Sequence, residues 1–93
     1  MSDEEHRAIL MGSIDAVLGR RISVPGFRSR YYDYYVDVLP ESALTDADRD
    51  LFAAVQEKLD WVDEAPDAES RRAGWIDYDE FIAWLRVLRP RFG

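Results

Sequence analysis

Eight residues in one stretch have the types and spacing to engage a cation or a basic surface: Asp46, Asp50, Glu57, Asp60, Trp61, Asp63, Glu64 and Asp67. If the stretch is helical, the intervals of four, seven, three and four residues from Asp46 to Glu64 place five carboxylates on one face. Ala53 completes that row. Like charges at three- and four-residue spacing destabilise an isolated helix by about 0.2–0.5 kcal/mol per pair, and only Arg49 and Lys58 stand close enough to relieve them. A solvated face that maintains solubility is the simplest reading. Two observations favour a cationic partner instead: the like charges are largely unrelieved, and they continue past the helical pattern through Asp63, Asp67 and Glu69. General acid and base chemistry is disfavoured, since carboxylates on an exposed convex helix lack the desolvation that tunes such groups.

The charge map sharpens this. The segment Glu41 to Glu69 holds ten acids and two bases, which accounts for the whole net charge of −7 and more. Elsewhere acids and bases nearly balance, at four against three in residues 1–22, two against two in 23–39 and three against five in 70–93. An isoelectric point near 4.6 disfavours direct binding to nucleic acid or to an anionic membrane, because phosphate neutralisation needs clustered Lys and Arg. Cysteine is absent, which removes disulfides and thiolate metal sites. No apolar run approaches the roughly 18 residues of a membrane span, and the acidic start Asp3-Glu4-Glu5 is unlike a signal peptide. These features suggest a cytoplasmic protein.

Other chemistry-bearing patterns resolve less favourably. Gly74-Trp75-Ile76-Asp77-Tyr78-Asp79-Glu80-Phe81 matches the second half of an EF-hand calcium loop, but the first, third and fifth ligand positions then fall on Glu69, Arg71 and Ala73. A guanidinium and a methyl group cannot replace carboxylates around a dication, so Asp77 is read as a helix cap with Glu80 closing its box. His6 is the sole histidine and has no nucleophile or metal-ligand partner in its pattern. A phosphate-binding glycine loop is missing, as is the Asp-Ser pair of an acyl carrier. No enzyme activity, metal or cofactor is expected. Tyr31, Tyr32, Tyr34 and Tyr35 read as core rings with hydroxyls at the surface, Tyr32 being the one at the edge of the apolar arc. Trp61 and Trp75 flank the acidic loop and suit either a core seal or an interface anchor.

Four helices must position these groups. Ser2 is placed to cap the first, which carries Ile9, Leu10, Ile14, Val17 and Leu18 on one stripe and ends near Gly19. Ser23 caps the second, with Pro25 in its first turn and Phe27, Tyr31, Tyr34, Tyr35 and Val38 on its apolar arc, and Pro40 stops it. Thr45, three residues before Asp48, opens the third, which runs to about Val62 with Leu51, Phe52, Val55, Leu59 and Val62 inward. An acidic loop containing Pro66 follows. The fourth helix starts after Asp77, buries Phe81, Ile82, Trp84, Leu85 and Leu88, and ends before Pro90. Strand-like alternation is confined to Trp75 and Ile76. With 93 residues, twelve aromatics and nine Gly plus Pro, the chain is expected to form one all-α domain spanning residues 1–93, a compact antiparallel four-helix bundle.

The order of these features resembles the immunity proteins of the colicin D type. The resemblance is carried by Val17-Leu18-Gly19-Arg20-Arg21-Ile22-Ser23, by Phe27 through Tyr35, by Asp50-Leu51-Phe52-Ala53-Ala54, by the loop Glu64-Ala65-Pro66-Asp67-Ala68-Glu69 and by a last helix entered at Ile76-Asp77. It covers about residues 10–90 through a pattern of apolar positions and an acidic loop. It implies a small helical protein that binds the catalytic domain of a tRNA-cleaving toxin as a heterodimer and blocks its active site. The carboxylates would then satisfy the Lys and Arg that otherwise bind RNA phosphates. On this resemblance Glu57, Asp60, Asp63, Glu64 and Asp67 are the expected contacts, with Asp46 and Asp50 extending the field. Gln56 interrupts the acidic run near where the family places charge. Two other readings stay open, a nucleic-acid mimic directed at another basic protein and a cation-binding regulatory module.

Overall fold

The computed structural model describes residues 3–92, with Glu41 described by its backbone alone. The described chain is all-α. It comprises α1 (Asp3–Leu18), α2 (Val24–Asp37), α3 (Asp46–Leu59), α4 (Ala68–Arg72) and α5 (Tyr78–Leu88), with 3-10 turns at Glu41–Ala43 and Arg89–Phe92. The chain falls into two compact units, Met1–Asp50 and Leu51–Gly93, and α3 runs from the first into the second. The expected cap at Ser2 lies outside the described residues.

In the first unit, Asp3, Glu4 and Glu5 occupy the first turn of α1, where the positive end of the helix dipole favours them. Burial of Leu10, Met11, Ile14 and Val17 follows the helical period, and Ile9, expected inward, is 40% exposed. The helix closes through the Gly19 N–H to Asp15 O and the Arg21 N–H to Ala16 O bonds, both 2.9 Å. Arg20, not Gly19, takes the left-handed conformation there, with φ at 57°. The Ser23 side chain accepts from the Gly26 N–H at 3.1 Å to cap α2, as expected, with Pro25 in its first turn.

α1 packs against α2 and against the 3-10 turn at Glu41–Ala43. Phe27 and Tyr31 are fully buried, and Tyr35 stacks on Tyr31 with ring centroids 5.4 Å apart. Burial, with lesser effects from Tyr35 and Tyr32, pushes the Tyr31 phenol far above its ordinary range. His6 is buried, and its Nδ1 lies 2.6 Å from the Tyr34 hydroxyl. Thr45 Oγ1 accepts from the Asp48 N–H at 3.2 Å, and the Asp48 carboxylate in turn receives Arg7 Nε at 2.8 Å.

The second unit departs from expectation at three places. α3 ends at Leu59 rather than near Val62, because Val62 is drawn into a parallel bridge with Ile76. Ile76 N–H donates to Trp61 O at 2.9 Å and Asp63 N–H donates to Ile76 O at 3.0 Å, so these groups leave the helical ladder. The supposed loop contains α4, opened by Asp67, whose side chain accepts from the Ser70 N–H at 2.7 Å. Beyond Leu88 the chain continues through Pro90 as a 3-10 turn that buries Phe92, whose ring lies 4.7 Å from that of Phe52. Phe52, Val55, Leu59, Val62, Phe81, Ile82, Leu85 and Leu88 complete this core.

Candidate protein-binding face

All eight residues singled out by type and spacing are exposed. Asp46, Asp50 and Glu57 lie on α3, whereas Asp60 follows its last residue and Asp63, Glu64 and Asp67 belong to the segment between α3 and α4. The row of five helical carboxylates is therefore cut to three on the helix, and the bridge between Val62 and Ile76 redirects the remainder. Asp46 and Asp50 belong to the first unit and the other six residues to the second. Asp46 meets Arg49 at 3.3 Å with its own side chain 98% exposed, a pair of little energetic weight.

Two of these acids are held in place by the backbone. Asp63 Oδ1 accepts from the Glu64 N–H at 2.8 Å. Asp67 caps α4, and the N–H and hydroxyl of Ser70 hold its carboxyl below the usual carboxylate range. Pro66, between them, is buried, which ties the segment down at its centre. Carboxylates fixed in this way lose less rotamer entropy on meeting a partner than free ones do.

The EF-hand-like half loop has a built-in cation. Asp77 and Glu80 form the expected capping box, with Glu80 N–H to Asp77 Oδ1 at 2.8 Å and Asp77 N–H to Glu80 Oε1 at 3.3 Å. Arg71, at the third ligand position of the pattern, reaches both acids: its guanidinium donates to Glu80 Oε1 at 2.5 Å and to Asp77 Oδ2 at 3.2 Å. The Glu80 N–H and, next, Arg71 hold the Asp77 carboxyl below its ordinary value, while the two acids raise the Arg71 guanidinium. Among the described residues, no group of three or more His, Cys, Asp or Glu comes together in a way that could hold a metal ion.

Next to the acidic segment lies a shallow depression of about 360 Å³ lined by Ala54, Glu57, Lys58, Trp61, Ala73, Gly74 and Trp84. Trp61 is 42% exposed, and its ring meets Trp75 at 5.4 Å with a 60° tilt. Lys58 Nζ sits 5.6 Å from the Trp84 ring centroid. Sequence reasoning reached Trp61 and Glu57 but missed Lys58, Trp84 and the Ala73-Gly74 turn as their neighbours. Trp84 reads as one more apolar position on α5, and nothing in the order of residues pairs it with Lys58.

Comparison with protein-family models, with curated proteins and with solved structures finds no match. Among the described residues, no helix is long and apolar enough to cross a membrane. The face sets fixed carboxylates beside a partly open indole surface, a combination suited to basic side chains of another protein.

Proposed function

We propose that this protein is an immunity protein of the colicin D type, which neutralises a cognate basic nuclease domain by covering its active-site cleft. The observation that carries the reading is that every acid it requires is exposed, with Asp63 and Asp67 each fixed by hydrogen bonds to backbone N–H groups. A cleft built to bind tRNA phosphates offers clustered Lys and Arg, and such carboxylates can take the place of the phosphates. The protein would act in the bacterial cytoplasm as one half of a heterodimer, without enzymatic activity or cofactor and without touching RNA or membrane itself. The same reading holds that the four longer helices close as one antiparallel bundle in a single domain.

The test is co-purification with the nuclease domain encoded beside it, followed by titration of charge-reversed protein. Lys at Glu57, Asp60 and Glu64 together should weaken binding at least a hundredfold and restore tRNA cleavage in a mixed assay, since truncating desolvated charge pairs at interfaces costs roughly 2–5 kcal/mol. Undiminished affinity would reduce the acidic face to solvation. Equal affinity for unrelated basic proteins would favour a general nucleic-acid mimic.

A further inference from the structure

We infer that the depression between the C-terminal half of α3, the Ala73-Gly74 turn and α5 is a receptor for one arginine side chain of the basic partner. This rests on reading the neighbouring acidic segment as the partner-binding face, and it adds the recognition element that a carboxylate row alone lacks. The lining supplies what a guanidinium needs. The exposed Glu57 can accept its N–H groups, and the indoles of Trp61 and Trp84 offer flat faces for stacking. Gly74 leaves one wall open: a Cβ built there would meet nothing within 4 Å, and its φ of 110° keeps the position for glycine.

The chain already places a cation of its own at this surface. Lys58 lines the depression and places its ammonium over Trp84, although exposed carboxylates lie on either side of it in sequence at Glu57 and Asp60. Lys58 thus occupies the aromatic face that an incoming guanidinium would take. Arginine suits the exchange because it is more weakly hydrated than an ammonium and stacks on aromatic faces. Displaced Lys58 swings into solvent on its flexible stem, so that the depression changes occupant without a change of backbone.

The probe is acetyl-Gly-Arg-Gly-amide, with the isosteric neutral citrulline peptide as control, followed through the indole Nε1–H resonances of Trp61, Trp75 and Trp84. The arginine peptide should shift the Trp61 and Trp84 signals saturably, in the millimolar range, and the citrulline peptide should not. Lys58→Met, which keeps the stem and removes the competing charge, should tighten binding about two- to fivefold. Glu57→Gln, an exposed isosteric change that leaves the core untouched, should weaken it by a similar factor. Equal responses to the two peptides, or no effect of Lys58→Met and Glu57→Gln, would overturn the assignment. The outcome is separable from that of the immunity reading: peptide binding with no capture of the neighbouring nuclease leaves the receptor standing and removes the toxin.

Discussion

Arg71 shows how one side chain settles a chemical question that a motif raises. A carboxylate at its position would help to build a calcium loop; a guanidinium there closes the site by bonding to Asp77 and Glu80 itself. The Asp77 carboxyl is depressed, so its contribution to folding is present above its unfolded value near 3.9 and is lost as pH falls through its lower folded value. In Arg71→Met the Asp77 carboxyl should therefore titrate closer to its ordinary value while remaining below it, because the Glu80 N–H bond persists. Carbon-detected carboxyl titration measures this, and an unchanged midpoint would show that Arg71 contributes nothing. Gly74 is a second residue of this kind. Its φ of 110° lies where side chains are strained while space is open, so Gly74→Ala should cost about 1–3 kcal/mol in urea unfolding from backbone conformation alone. The EF-hand-like pattern announced Gly74, Asp77 and Glu80, but the two bonds from Arg71 could not be read from order, since a charge six or nine residues distant has many alternatives.

At the scale of elements, caps and periodicity were legible and helix ends were not. Ser23, Thr45 and Asp77 cap as their side-chain chemistry requires, a local matter of one oxygen and one N–H two or three residues on. The end of α3 is set by competition instead. Val62 fits the apolar period of the helix and is buried either way, but Ile76, fourteen residues later, claims the carbonyl of Trp61 and the N–H of Asp63. The same limit hid α4, whose five residues are too few to show a period. It hid the tail as well, because Pro90 is a fair stop signal for an α-helix yet fits a 3-10 turn. Phe92 is 5% exposed against Phe52, so Phe92→Ala should cost about 3 kcal/mol, measured as a lower urea midpoint at unchanged slope. A loss below 0.5 kcal/mol would mean that the tail is not part of the core in solution.

For the whole molecule the governing quantity is the distribution of −7 charges. If the excess within Glu41 to Glu69 steers a basic partner, association with the nuclease domain should slow by about tenfold or more between 0.02 and 0.5 M salt while dissociation changes little. Stopped-flow rates across that range decide the matter, and a salt-independent on-rate would remove steering. The order of residues was enough to settle the all-α class, the caps at Ser23, Thr45 and Asp77, the charge excess and the exposure of the seven acids from Asp46 to Asp67 singled out above, because each depends on neighbours within a turn or on solvation of single side chains. The three-dimensional fold alone decided where the acidic row leaves the helix, that a guanidinium fills the half loop, that His6 is buried against Tyr34, and that Lys58 meets Trp84 beside Glu57 and Trp61. Those outcomes depend on which distant groups compete for the same hydrogen bond or the same ring face, and that competition is resolved only when the chain has packed.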